Sequence, residues 1–415
     1  MSVWLSRRVV SILLRRIRIG SLIVVEGDER RAFGSGPPVA LVQIDSPGAW
    51  ANLLRGSRGM AEAFAQGLWN SPDLVALIRL AARNARGLDR LRSLVKPVRW
   101  PLQRAEALLR HSTKHRRRRD IAAHYDLGNE LFSRMLDPTM SYSCAVFEQQ
   151  GMTLEQAQIA KLERVCEQLE LGPEDRVLEI GTGWGAFALH AAATRGCHVT
   201  TTTISREQHD YAVEQVRRAQ LNDRVTVLME DYRDLRGRYD KLVSIEMIEA
   251  VGWRHQGTFF AKCSELLAPD GAMLLQAITM DDRAYEVEKA SKSFMNTYIF
   301  PGGCLPSLGS IVRNVAGRTD MQAVQLGDLT PHYVETIRRW RGAFNAYADA
   351  LAGLGYDARF RRLWTLYLAY CEAGFAERRI CDVQVLLTKP RCRITSGAVS
   401  QRSGHGPQRD LSLSA

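Results

Sequence analysis

The strongest chemical signal in this sequence is the run Val177-Leu178-Glu179-Ile180-Gly181-Thr182-Gly183-Trp184-Gly185, an apolar stretch that enters a glycine-rich turn. Glycine has no Cβ, so such a turn bends sharply and lets the backbone approach a ligand closely. Dinucleotide sites use similar turns, and the glycines alone do not separate the two. Glu179, and Asp231-Tyr232 further on, suit a ligand with ammonium and adenine groups better than a pyrophosphate, and no Walker-type lysine follows the glycines. The next strand-like run ends Thr202-Thr203-Ile204-Ser205-Arg206-Glu207-Gln208, without the acid that grips ribose hydroxyls in dinucleotide folds. Ser205, Gln208 or a Thr203 backbone group would have to take its place.

The elements that must hold these residues alternate between apolar strands and helical patterns from 121 to 390, the signature of a parallel α/β sheet. Strands are expected at Arg176 to Ile180, His198 to Ile204, Val225 to Met229, Lys241 to Ile245 and Ala272 to Ile278. Before them, residues 2 to 19 read as a basic amphipathic helix, either docked on an anionic lipid surface or packed on its own domain with solvated arginines. Short strands follow at Ser21 to Glu26 and Val39 to Ile44, separated by a Gly/Pro-rich turn, and 50 to 110 reads as helical. The run Arg116 to Arg119 marks a boundary between a smaller α+β domain, 1–115, and a catalytic domain, 116–390. Residues 391–415 are polar and rich in Ser, Gly and Arg, the composition of a disordered tail.

A chain of 415 residues with a formal charge of +11 favours an anionic partner, nucleic acid or an acidic membrane surface. The apolar run Val9 to Leu14 is too short to span a bilayer or to act as a secretory signal, so a cytoplasmic location is expected. The eight cysteines form neither CxxC pairs nor a Cys/His cluster, which points to reduced thiols and no metal site. No base-flipping motif accompanies the arginines, which argues against nucleic acid.

The segment His124-Tyr125-Asp126-Leu127-Gly128-Asn129 with Tyr142-Ser143-Cys144-Ala145 resembles the entrance to the catalytic domain of cyclopropane-fatty-acyl-phospholipid synthases and mycolic acid cyclopropane synthases. The resemblance continues through Gly181 to Gly185, Thr203 to Gln208, Asp231 to Asp234, Glu246 to Gly252, Tyr298 to Pro301 and Leu305 to Ser307. It implies a class I methyltransferase domain, a Rossmann-like doubly wound seven-stranded sheet with a helical lipid-binding insertion. The implied cofactor is S-adenosylmethionine, and the implied reaction is methyl transfer to a cis double bond of a phospholipid acyl chain, closing a cyclopropane. The implied setting is the inner face of the membrane, bound peripherally; a homodimer is also allowed.

By the same resemblance, Tyr142 and Ser143 touch the cofactor together with Glu179, Gly181, Gly183, Trp184, Gly185, Thr203, Ile204, Ser205, Gln208, Asp231 and Tyr232. Cys144, Glu249, Ile278 and Tyr333 would surround a bicarbonate ion that accepts the released proton, and Tyr333 and Tyr298 would face the carbocation. Two positions depart from the family pattern: Gln276 replaces a histidine that contacts the ion, and Ala250 follows Glu249 where histidine is usual. Glutamine donates hydrogen bonds but carries neither charge nor proton. The departure resembles a subgroup of actinobacterial methyltransferases that includes makers of methylene-branched chains, so a methylene- or methyl-branched product is the alternative.

Overall fold

The computed structural model describes residues 3–84, 128–289, 291 and 293–394. The arginine run, the boundary near 115, His124 to Leu127 and most of the expected tail lie outside these residues. The seven-stranded sheet runs β10-β11-β9-β8-β5-β6-β7, where β5 is Arg176–Ile180, β6 His198–Thr202, β7 Val225–Leu228, β8 Tyr239–Ile245, β9 Leu267–Met280, β10 Gln322–Asp328 and β11 Ile380–Thr388. Every neighbouring pair from β9 to β7 is parallel, and β11 alone runs against both β9 and β10.

The centre of this sheet is covered on both faces, and the residues of β5 show why its sequence is apolar without alternation. Val177 packs with Val243, Leu274, Leu162 and Phe187 on one face. Leu178 packs with Leu242, Met273, Phe259 and Ile311 on the other. The chain leaves β5 toward β6 and β7 and then returns to β8 on β5's other side. Such a reversal opens a crevice at the carboxyl ends of the central strands. The glycine turn and Glu246 are the residues that follow β5 and β8 there.

The N-terminal sheet has the order β2-β1-β3-β4, with β1 Gly20–Glu26, β2 Glu29–Ser35, β3 Val39–Ile44 and β4 Trp69–Asn70. The expected Gly/Pro turn between β1 and β3 contains a further strand, β2. It exposes every residue except Phe33, so its sequence lacks the apolar alternation that betrays a strand. Helices follow at Gly48–Leu53, Gly56–Ala65 and 74–84. One core joins this sheet and its helices to those beside the larger sheet, with Trp50, Phe64, Trp69 and Leu80 in the same cluster as Phe132, Trp340 and Trp364. Arg362 stacks on Phe64 at 4.1 Å and donates to the carbonyls of Phe64 and Trp69.

The first helix, Val3–Leu14, buries only Ser6 and Val10. Arg7 turns inward and pairs with Glu26 and Glu29. Trp4, Ile12 and Leu13 are 65%, 50% and 46% exposed, beside exposed Arg8, Arg15 and Arg16. The packed side of this helix is a narrow stripe of Ser6, Val10 and Leu14, and its larger apolar residues face outward.

Candidate active site

The crevice at the end of β5 and β8 is a cleft of about 1240 Å³, counting its open mouth. Glu179, Gly181, Gly183 and Trp184 line one side, Thr203, Ile204 and Gln208 the next, and Asp231 and Tyr232 the far end. Tyr142 and Ser143 close it from the segment before the sheet. Gly183 has φ +52°, and a Cβ there would meet no protein atom within 4 Å, so a side chain would project into free space. Gly185 and Ser205 stand behind this lining. Gly185 is the left-handed residue that starts the helix Ala186–Arg195, with Ala212 3.3 Å from where its Cβ would be. Ser205 caps the helix Arg206–Arg218 by accepting from the Gln208 backbone. Of the ribose candidates, Gln208 and Thr203 remain in the cleft, linked by a 2.9 Å bond from the Thr203 hydroxyl to Gln208 Oε1.

Sheet register sets the electrostatics of Glu179. It faces Thr201 across the parallel pair β5–β6, and the Thr201 hydroxyl donates to it at 2.7 Å. Burial pushes its carboxyl up to about 8. Asp231 is already held by Arg233 at 2.8 and 2.6 Å. Tyr142 shares a 2.7 Å hydroxyl–hydroxyl bond with Tyr367, and its ring lies 5.1 Å from Trp340 and 5.2 Å from Phe132. Trp184 lies 4.8 Å from Phe132, and its indole donates to Asn129. The wall is therefore aromatic where an apolar or cationic group would be held.

Below this wall lies a group of acids, Glu246 and Glu249 half-buried and Asp382 fully buried. Glu246 Oε1 accepts from the Cys144 backbone at 2.8 Å and from Gln276 Nε2 at 2.9 Å, and the Tyr333 hydroxyl donates to Oε2. Glu249 Oε1 instead accepts from the Ile278 backbone at 2.6 Å. Gln276 reaches Asp382 at 3.2 Å, a consequence of the antiparallel β9–β11 register that sets Ile278 against Asp382 and Gln276 against Gln384. Burial raises all three carboxyls: Glu249 to about 8, Asp382 well above its usual range, and Glu246 upward against the three donors that oppose it. Lys161 is the buried cation of the group, donating to Ser143 at 2.9 Å, with its own basicity lowered by burial.

The expected residues thus come together, but around Glu246 and not around an ion beside Glu249. A separate bicarbonate does not fit here. The backbone of Cys144, the hydroxyl of Tyr333 and the amide of Gln276 serve Glu246, and the backbone of Ile278 serves Glu249. Cys144 acts through its N–H, since burial pushes its thiol well up. Tyr298 is not among the residues that line the cleft, and its hydroxyl donates at 2.6 Å to Glu62 of the helix Gly56–Ala65. Sequence reasoning missed Lys161 and the role of Glu246. Glu246 stood in the quoted motif three residues before Glu249, and Lys161 is a helix residue with no local signal.

The sequence matches the family model described as mycolic acid cyclopropane synthetase over residues 112–385. It is 38% identical over 387 residues to the tuberculostearic acid methyltransferase of Mycobacterium tuberculosis, covering 89% of this chain and 88% of that protein. It is 36% identical over 358 residues to the cyclopropane-fatty-acyl-phospholipid synthase of Escherichia coli, covering 86% and 89%. Among solved structures, the mycolic acid cyclopropane synthase CmaA1 complexed with S-adenosylhomocysteine and CTAB superposes with a TM-score of 0.61 at 30% identity, covering 66% of this chain and 98% of that one. The cyclopropane synthase MmaA2 from M. tuberculosis gives 0.61 at 32% identity, with the same coverage.

Proposed function

We propose, on the premise that this chain belongs to the mycolic acid cyclopropane synthetase family, that it methylates the cis double bond of an unsaturated acyl chain carried on a membrane phospholipid. It is an S-adenosylmethionine-dependent methyltransferase of unsaturated fatty acyl chains. The single observation that carries the finer reading is the shape of the site. The glycine turn and Glu179 adjoin the rings of Tyr142 and Trp184 and the carboxylate of Glu246 in one cleft.

When bound, the cofactor supplies an electrophilic methyl group. An alkene is a weak nucleophile, so the chain's task is to hold it in line and keep water away. Phe132, Trp340 and Trp364, all but fully buried, back that wall. A carbocation left on the acyl chain is stabilised by aromatic faces, worth up to about 2 kcal/mol each when desolvated.

The product we assign is a methylene-branched chain, formed by a hydride shift followed by loss of a proton from the transferred methyl. The motif departures at Gln276 and Ala250, and the likeness to a tuberculostearic acid methyltransferase, support it. Cyclopropane closure is the second reading, favoured by the likeness to the E. coli synthase. Expression in a host whose lipids lack cyclopropanes, followed by fatty-acid methyl ester analysis, tests both. A reducible methylene branch is expected, an upfield cyclopropyl proton signal would select the second reading, and unmodified lipid would refute both.

The outward apolar face of the helix Val3–Leu14 and its exposed arginines support an anionic bilayer as the surface from which the acyl chain is drawn.

A further inference from the structure

We infer that Glu246 is the enzyme's own base: its carboxylate replaces a dissolved bicarbonate and takes the proton released after methyl transfer. This deepens the reading of function above and rests on it.

The donor set is the first support. The Cys144 N–H, the Gln276 amide and the Tyr333 hydroxyl spread over the two oxygens of one planar group, as they would over a carbonate. That is the arrangement that stabilises an oxyanion, and a charged side chain already fills it. The second support is access. Glu246 lines the same cleft as Tyr142, Ser143 and Gly181, whereas Glu249 and Asp382 do not. The third is the backbone. Glu246 has φ +50°, a region where glycine rests without strain and a side chain does not. Strain of this kind persists where the surroundings over-determine it, and it concentrates at functional sites.

The step balances. The new C–C bond takes the π pair of the alkene, and the electron pair of the broken sulfur–methyl bond stays on sulfur. A C–H bond of the transferred methyl then breaks. Its electron pair closes a ring or, after a hydride shift, forms the methylene double bond, and its proton passes to a carboxylate oxygen of Glu246. Water accepts that proton before the next turnover.

The test combines turnover with anion binding in the full-length protein, using methyl-labelled S-adenosylmethionine and phospholipid vesicles. Wild type is expected to turn over equally in bicarbonate-depleted and bicarbonate-containing buffer. Glu246→Gln is expected to lose about 10²- to 10⁴-fold in turnover, the usual value of a general base, with cofactor affinity kept in calorimetry. Glu246→Gly relaxes the backbone and opens a pocket with its donors in place, so bicarbonate or formate is expected to restore turnover to it and not to Glu246→Gln.

Carbon-13 bicarbonate binding, followed by NMR, decides the inference without turnover. Glu246→Gly is expected to bind the ion and wild type is not. Wild-type turnover that stops without bicarbonate, a fully active Glu246→Gln, or bicarbonate bound by wild type would overturn the inference. Absence of any lipid labelling by wild type would instead refute the proposed function, leaving the binding measurement to judge Glu246.

Discussion

Arg164 donates at 3.0 Å to the side-chain carbonyl of Gln384, and this contact fixes the orientation of two buried amides in series. Gln384 must then present its NH₂ to Gln276 Oε1, also at 3.0 Å, so Gln276 must turn its own NH₂ toward Glu246 and Asp382. Gln276→Leu should remove a donor that favours the ionised form of Glu246. Its carboxyl then rises further, and the base form appears only at higher pH. The acid limb of the turnover profile should move to higher pH, and the fold should lose about 1–3 kcal/mol for the carboxylates left unsatisfied. An unmoved limb in a folded variant would show that the amide does not tune the acid.

Glu179 gives a second pH-dependent outcome. Burial holds its carboxyl at about 8, so below that pH it carries a proton in the free protein. A cationic ligand favours the charged form and must expel that proton. Cofactor affinity should therefore fall as pH drops below about 8, by up to about tenfold per pH unit. Calorimetry in buffers of different ionisation heat should register one proton released per binding event at pH 7. Glu179→Gln should bind more weakly and lose the pH dependence.

Membrane docking through the first helix has a salt signature. Each exposed arginine near an anionic surface contributes about 1 kcal/mol, and salt screens it. Vesicle co-sedimentation should require anionic lipid and weaken as salt rises. Trp4→Ser combined with Leu13→Ser should weaken binding at every salt concentration, because the apolar contribution is not screened. Equal binding to neutral vesicles would rule out the electrostatic part.

The catalytic sheet was legible because β5 and its turn announce themselves locally: apolar residues facing both ways, then glycines that the backbone needs. Most of the residues expected around a cofactor line one cleft, since loops after consecutive strands meet at one crevice. Ser205 stands behind the cleft lining, because a serine at a helix start serves as a cap as readily as a ligand group. The acid cluster was only half legible. Glu246 and Glu249 both stand in one motif, yet which carboxylate faces the cleft depends on the backbone angle at 246 and on β9–β11 register, and neither is written locally. Lys161 is fixed by tertiary packing alone, and β2 by pairing with β1 despite a polar sequence.

The left-handed backbone at Glu246 also bears on how this chemistry changes over evolutionary time. The glutamate codons become glycine codons by one base substitution, and glycine is the residue for which that backbone angle is free of strain. No neighbouring strand or helix has to be rebuilt for the exchange. If Glu246 is the base, a chain that carries it and one that leaves its donors free for a dissolved anion thus lie one point mutation apart.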